Sequence, residues 1–535
     1  MLKNTLTSEK EFIRDNCSFW DGFFPDRTPH KTYILIRNEQ YPLILLGLAQ
    51  LGAFAAVRKN AGLLFILPSR SQKDMQAVLS SFPRASFIYE DSPKYLLLKV
   101  YSYLQALLAF NFKTPDDLLD FESEGIKFGD LVYDAYLANK KNATLRNPRD
   151  PVLLKTLRDF FYVKGLVKDV LKRYRVILGV TGHVIGTGGG VFLRLLRQEG
   201  IEVWEKADAL RKHTAKTGFY DCYMTPERKD IELMAKQKER FLPLAEAVLS
   251  KRFNNLDPKA RLGLPYSQDK KLYRDKNDFC ACFGLDPQKK NIFVMLHAFN
   301  DFPHIFGRLL HRDYYQWFKA IFEAAVNNDK VNWIFKEHPY VKYYPANDVD
   351  LPGLFSECPK KHLRYLGTEV SFNTASLRYL ADALVTCTGT AGLEYSTYGV
   401  PCLLAGPCWY AKFGFTVDPE TPEEFKKQLM EIDSLQPLSD EQVVMAKLLA
   451  YFTFELIDPG RFLDPFGIVP TIDFCEQKTF SAERIFQKIL EARKQSSELD
   501  KKSFIALIDK FIDDPDFIRF WDLNRYPEFA EAELA

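Results

Sequence analysis

Two stretches of the chain carry the residue types that a bound anion needs. In the first, Trp333 to Pro339 (WIFKEHP), an apolar run delivers Lys336, Glu337 and His338 to its carboxyl end. Pro339 then forces the chain out of regular pairing. In the second, Leu384 to Thr416, an apolar strand ends at Thr386 and small residues follow: Thr388, Gly389, Thr390, Ala391 and Gly392. Such residues let the backbone approach a ligand closely. A helix starting there would aim free N–H groups and the positive end of its dipole at an anion. Glu394, one turn in, is placed to accept hydrogen bonds from ribose hydroxyls. In an open parallel sheet, ligands collect at the carboxyl ends of strands, where both stretches fall. An ordinary strand–helix turn, with Glu394 as a dipole partner and His338 as a hydrogen-bonded loop residue, accounts for each stretch taken singly.

Three further segments offer chemistry for an opposing wall. HAFNDFPH (His297 to His304) brings His297, Asp301 and His304 together in sequence. They form no metal set, because no fourth ligand is placed and the surroundings are aromatic. A loop facing an interdomain cleft is the expectation. TGHVIGTGGG (Thr181 to Gly190) joins a strand to a helix through Gly186, Gly188, Gly189 and Gly190. It is neither a phosphate-binding GK[ST] loop nor a GxGxxG fingerprint. It reads either as a plain glycine-rich turn or as a cleft loop that admits a phosphate or an acceptor sugar, with His183 as an acid/base group. GDLVYDAYL places Asp130 and Asp134 four apart on one helix face. Paired carboxylates there suit acid/base work, and a solvated face or an N-cap suits them equally.

The elements that must position these residues fall into two α/β series. Lys31–Arg37, Leu63–Leu67 and Ala85–Tyr89 read as short buried strands, and the chain from Pro93 to about Arg173 reads as mostly helical. Arg175–Val180, the glycine loop, a helix and Ile201–Trp204 then make one parallel crossover unit. A charged helix, Glu227–Arg252, leads to a polar linker beginning near residue 254. The second series holds strands at Asn291–Leu296, Asn332–Phe335, Ala383–Thr386 and Pro401–Ala405, with a mostly helical tail from Ser439. The expected division is residues 1–285, 286–480 and 481–535.

Composition bounds the function. A chain of 535 residues needs more than one core, and 47% apolar with 27% charged residues are globular proportions. A net charge of +2 argues against bulk capture of nucleic acid. Nine scattered cysteines read as free thiols in a reducing compartment. The first residues lack the apolar core of a signal peptide, and no apolar run is long enough to span a bilayer. The expectation is a cytoplasmic protein, with the inner face of the cytoplasmic membrane left open.

FKEHP, followed by TCTGTAGLEYSTYGVPCLLAGPCWYAKFGFT, resembles the capsule and surface-polysaccharide biosynthesis glycosyltransferases, a group that includes the bacterial Kdo transferases. Their pattern is an HP dipeptide, a Ser/Thr–Gly turn, a Glu one turn later, G-x-P, and a glycine followed by Y-A-x-x-G-x-T. It falls here on His338-Pro339, Thr388 to Gly392, Glu394, Gly399-Val400-Pro401, and Gly406, Tyr410, Ala411, Gly414 and Thr416. The turn carries Thr where the group has paired Ser. Lys412-Phe413 stands where the Kdo enzymes carry Gly-Trp, which leaves the donor open.

The resemblance implies a GT-B fold: two Rossmann-like domains facing across a cleft, with C-terminal helices crossing back. It implies no metal and no cofactor, a nucleotide-sugar donor as co-substrate, and a glycan or glycolipid acceptor, with peripheral membrane or export-complex association compatible. Lys336 and His338 would meet the donor phosphate, the amides of Thr388, Gly389, Thr390 and Gly392 would cap it, and Glu394 would hold the ribose. Tyr410 and Thr416 would shape the sugar pocket. The base of an inverting reaction would come from His183, Asp130, Asp134 or Asp301. The implied activity is transfer of a sugar, from a CMP-Kdo-like or UDP/GDP-sugar donor, to a bacterial surface polysaccharide or glycolipid. A nucleotide-sugar 2-epimerase, a CDP-polyol phosphotransferase and a non-catalytic glycan-binding subunit are the alternatives.

Overall fold

The computed structural model describes residues 2–22, 31–37, 42–69, 73–207, 209–257, 265–457, 482–495 and 497–519. Parts of the expected segments 286–480 and 481–535, namely 458–481, 496 and 520–535, lie outside the described residues.

Strands β1 (Tyr33–Arg37), β2 (Gly62–Leu67) and β3 (Ala85–Tyr89) precede a small antiparallel pair, β4 (Glu122–Ser123) and β5 (Ile126–Lys127). Strands β6 (Val176–Thr181), β7 (Glu202–Lys206) and β8 (Leu210–His213) then complete a first six-stranded sheet in the order β3-β2-β1-β6-β7-β8. Its strands are parallel except for β8, which runs antiparallel to β7 at the edge. The second sheet has the order β11-β10-β9-β12-β13-β14. Its strands are β9 (Asn291–Met295), β10 (Asn332–Lys336), β11 (Leu363–Leu366), β12 (Ala383–Thr386), β13 (Cys402–Leu404) and β14 (Thr416–Val417). Both sheets therefore repeat one order, with the strand sequence reversing direction beside the first strand of each. That is the doubly wound arrangement with a switch point in each half. Two such units are a GT-B architecture.

Burial follows from this layering. All six residues of β2 are buried, as a strand covered on both faces requires. Side chains alternate between two cores. On β2, Leu63, Phe65 and Leu67 enter one cluster while Leu64 and Ile66 enter another. On β10, Ile334 joins the cluster shared with β2, and Trp333 and Phe335 enter a third that belongs to the second sheet. The shared cluster thus takes one face from each sheet. It also receives Phe241, Ala245 and Leu249 from the helix Lys238–Phe253, and Phe504, Leu507 and Phe511 from the helix Glu498–Asp513.

The last helices return to the first domain. Phe486 stacks near Phe12 at 5.1 Å between ring centroids, and Arg493 pairs with Asp15 at 2.5 Å. Arg58 pairs with Asp513, and Lys212 donates to the Asp514 carbonyl at 2.7 Å. Arg519 donates to the carbonyls of Tyr223 and Thr225.

The two domains are joined directly by the helix Gly129–Lys140. Asp134 Oδ1 lies 2.6 Å from His304 Nδ1, and its Oδ2 accepts the His304 backbone N–H at 3.0 Å. The other ring nitrogen of His304, Nε2, faces the Arg312 carbonyl at 2.9 Å. Both ring nitrogens face acceptors, so His304 is the doubly protonated imidazolium. Burial pulls its pKa down, but the charge and hydrogen bond of Asp134 outweigh burial and raise it. One residue earlier, the Tyr133 hydroxyl donates to Asp313 at 2.5 Å. Asp313 also receives the Thr144 hydroxyl at 2.5 Å and caps the helix Tyr314–Asn327 through the Gln316 N–H. The Ala143 N–H and Arg146 reach Asp348 at 2.7 and 3.2 Å.

This geometry corrects the expectation of an acid/base pair at Asp130 and Asp134. Asp134 is committed to His304. Asp130 is held bidentately by Arg194 at 2.6 and 2.5 Å. Neither is a loose carboxylate awaiting a proton. Removing one partner of a buried ion pair leaves the other uncompensated. Asp134→Ala is expected to lower stability by about 3–5 kcal/mol, measured by urea denaturation. The double change Asp134→Leu/His304→Leu is expected to recover part of that loss.

Candidate functional site

Register brings the central strand ends of the second sheet level. Met295 on β9 lies opposite Lys336 on β10, and Val294 lies opposite Val385 on β12. The residues just past these ends, His297, His338 and Thr388, therefore converge.

Lys336 is buried at the end of β10, and its ammonium makes one long hydrogen bond, 3.5 Å to the Glu337 carbonyl. Burial pushes its pKa down to about 8, with Lys270 adding to the effect. His338 caps the turn Pro339–Lys342 by accepting the Tyr340 N–H on Nδ1 at 3.1 Å. Burial, together with the charge of Lys336, lowers its pKa to about 4. The ring is neutral near pH 7, so its second nitrogen, Nε2, carries the proton and is a donor.

His297 stacks on Tyr314 with ring centroids 4.1 Å apart and lies nearly parallel to His338 at 6.3 Å. Its Nε2 accepts the Thr388 N–H at 3.3 Å and lies 3.2 Å from the Thr386 hydroxyl. Burial, reinforced by His338, holds its pKa at about 3, so His297 is neutral as well. The Tyr314 and Thr388 hydroxyls are 2.9 Å apart. His297 and Tyr314 thus buttress the turn after β12. His297 was visible in the sequence only as part of a metal-like trio, and Tyr314 gave no signal beyond its place in a helix. Its distance from Thr388 in the chain hides the contact.

The turn leads into the short helix Thr390–Ser396, whose N-cap, Gly389, offers no side-chain hydrogen bond. The helices beginning after Asp150, Asp313 and Thr421 are capped by those side chains. Of the amides expected to cap a phosphate, those of Thr388 and Gly389 donate to His297 Nε2 and the Thr386 hydroxyl, and that of Gly392 to the Gly389 carbonyl, while those of Thr390 and Ala391 have no side-chain cap. Behind them, the Tyr410 hydroxyl donates to the Gly389 carbonyl at 2.6 Å.

Several expected roles change. Tyr410 is fully buried, so it holds the turn from behind and does not line a sugar pocket. Thr416 lies opposite Cys402 at the amino end of the edge strand β14, and its hydroxyl bonds to Asp418 at 2.9 Å. It is remote from the aligned strand ends. Glu394 is buried and turned toward the interdomain segment. Its Oε1 accepts from Arg252 Nε at 2.6 Å, and its Oε2 accepts from the Tyr266 hydroxyl at 2.6 Å. Arg252 also pairs with Asp257 at 2.6 Å and lies over the Phe454 ring. A carboxylate fixed by a guanidinium and a phenol is a structural tie, which does not fit the ribose role.

On the opposing wall, the glycine loop follows β6 and makes one wide, π-helical turn, Gly186–Gly190, before the helix Val191–Gln198. Its openings are filled by the protein itself. A Cβ on Gly189 would sit 1.7 Å from the His183 carbonyl, and one on Gly188 would sit 2.1 Å from Arg37 Nη2. Gly186, at φ +59°, packs against Phe302 of the second domain. The loop is therefore a packed interdomain contact and not an open cradle. Asp301 beside it is raised to about pKa 6, chiefly by burial, and His183 is near enough to oppose that rise. These two residues are brought together across the domains, while His297 and His304 are each committed elsewhere.

Comparison with known proteins places part of the sequence. The two doubly wound units make the chain a GT-B-type protein. Residues 285–454 match the family described as capsule polysaccharide biosynthesis protein, and over this segment the chain resembles that family. No curated protein matches the chain. Among solved structures, a β-Kdo 2,4-transferase, KpsC, of Thermosulfurimonas dismutans is 13% identical and covers 53% of this chain and 85% of its own, with a TM-score of 0.32. HepE of Anabaena, in complex with UDP and glucose, is 9% identical over 87% of this chain and 100% of its own, with a TM-score of 0.25. A UDP-GlcNAc 2-epimerase of Neisseria meningitidis is 9% identical over the same shares, with a TM-score of 0.23. At such scores the fold rests on the strand orders and not on these likenesses.

The tie at Glu394 yields a test. Glu394→Ala strands the buried guanidinium of Arg252 and is expected to cost about 3–5 kcal/mol in urea denaturation. A ribose-binding carboxylate would instead show its loss in nucleotide affinity with stability unchanged.

Proposed function

We propose that the chain is a nucleotide-sugar-dependent glycosyltransferase that builds a bacterial surface polysaccharide or glycolipid. The observation that supports this best is the convergence, at the ends of β10 and β12, of Lys336, His338 and the turn whose Thr390 and Ala391 amides have no side-chain cap. A buried ammonium with one long hydrogen bond, a neutral imidazole donor and uncapped amides together suit a phosphate. The family match at residues 285–454 agrees.

In this reading, Lys336 and the turn amides stabilise negative charge on the departing nucleotide phosphate, where charge develops as the sugar leaves. His338 donates from Nε2 as a neutral imidazole. Tyr410, His297 and Tyr314 keep the turn in place so that the donors need not reorganise. Asp301, with a pKa near 6, is ionised at neutral pH and sits beside His183. It is the base that would take a proton from an acceptor hydroxyl entering from the first domain. The base of the donor is read from binding experiments with CMP, UDP, GDP and CDP.

Because Lys336 has a folded pKa lowered to about 8, its charge is lost as pH rises through that value. Nucleotide affinity by titration calorimetry is therefore expected to weaken above about pH 8, and Lys336→Met should remove this dependence. Loss of one charge-assisted hydrogen bond predicts a fall in affinity of about tenfold to a hundredfold for Lys336→Met. Unchanged nucleotide affinity in both Lys336→Met and His338→Ala would overturn the site. Epimerisation of the donor sugar in the absence of any acceptor would assign an epimerase instead.

A further inference from the structure

The helix Leu96–Ala109 presents an apolar face to solvent that no other described element covers. Its inner side, Tyr95, Ser102 and Ala106, is buried, and its neighbour is the helix Pro151–Arg173. Its outer side exposes Leu96, Leu97, Val100, Tyr101, Leu104 and Leu108, with Leu97 and Leu108 at 81% and 85% exposure. Tyr103 and Leu107 extend the patch. A contiguous apolar stripe of this kind marks an interaction surface.

Charge selects the occupant. From Lys94 to Lys113 the charged residues are the lysines at 94, 99 and 113, with no Asp or Glu between them. Lys172 is exposed at the end of the neighbouring helix. The nearby acids each have a partner: Asp169 pairs with Arg173, Asp117 caps a helix, Asp116 and Asp120 pair with Arg308, Asp91 accepts from Ser69, and Glu90 is partly buried. A helix of 14 residues is too short to cross a bilayer, and no described helix is long and apolar enough to do so. Leucines flanked by lysines, with two tyrosines at the margin, fit the plane of a headgroup layer.

We infer that this helix docks the protein on an anionic lipid surface. Leu97, Leu104 and Leu108 enter the acyl boundary, and Lys94 and Lys99 meet lipid phosphates. The chain runs from the helix into the Thr114-capped turn Pro115–Leu119, where Asp120 pairs with Arg308 of the second domain at 2.6 Å. Docking there holds the interdomain face close to the membrane, where a lipid-linked acceptor would arrive. That last point rests on the transferase reading, whereas the docking does not.

The test is co-sedimentation of the full chain with vesicles of phosphatidylglycerol and phosphatidylcholine, against phosphatidylcholine alone. Because such vesicles hold neither donor nor acceptor, the result is independent of whether the nucleotide site is correctly assigned. The protein is expected to pellet with the anionic vesicles, and added salt should release it. The triple variant Leu97→Glu/Leu104→Glu/Leu108→Glu should weaken partition by about tenfold or more with an unchanged melting temperature. Lys94→Gln/Lys99→Gln, which removes two exposed charges, should weaken partition on anionic vesicles and serves if the triple variant melts early. Failure to pellet with anionic vesicles overturns the inference. So does pelleting that neither set of changes nor salt affects. A dimer that the triple variant converts to monomers, without vesicle binding by the wild type, would assign the stripe to a second copy and also overturn it.

Discussion

The contact between Asp134 and His304 is the constraint on which the cleft depends. It joins a helix of the first domain to the loop following the first strand of the second, out of reach of water. A charged pair in that position is specific in a way that apolar packing is not. Sliding the domains by even a few ångströms would leave a carboxylate and an imidazolium unmatched in a medium that solvates neither. Tyr133, Thr144 and Asp313 extend the same clasp, and Asp313 also starts the helix that carries Tyr314 under the turn after β12. Interdomain geometry and local site geometry are thereby set by one connected group of side chains.

The candidate donor site is built on neutral histidines and one reluctant cation. His297 and His338 lose their charge to burial, and each then spends one nitrogen on a backbone amide. They act as fixed dipoles that shape the turn and offer a single N–H. The positive charge comes from Lys336, which is also weakened by burial. A site of this kind is far from a strongly cationic trap. It favours a ligand that supplies its own negative charge in the right place, which gives selectivity over diffuse anions.

The sequence made the architecture legible because strand, turn and helix signals are local. Apolar runs ending at Lys336 and Thr386 read as strands, and they are β10 and β12. The small residues from Thr388 to Gly392 read as a helix start, and they are one. The partners of polar side chains were not legible, because they come from far along the chain. Glu394 meets Arg252 and Tyr266, Asp130 meets Arg194, and Asp134 meets His304. Spacing places a carboxylate on a helix face, but only the fold decides whether a guanidinium is waiting there. The same applies to the glycines of the loop after β6. Composition read as either a plain turn or an open cleft loop, and the structure shows that Arg37 and the His183 carbonyl approach the backbone closely.

The return of the C-terminal helices gives the chain an unusual order of assembly. The helix Leu2–Asp21 packs on Ala482–Gln495, and the helix Pro42–Lys59 meets Glu498–Asp513 through Arg58. Topologically, the domain of the second sheet is an insertion within the domain that holds both of these segments. During synthesis, the inserted domain emerges whole while its host still lacks the helices that close its core at Phe504, Leu507 and Phe511. The part of the protein made first is therefore completed last, and the inserted domain folds against an unfinished neighbour.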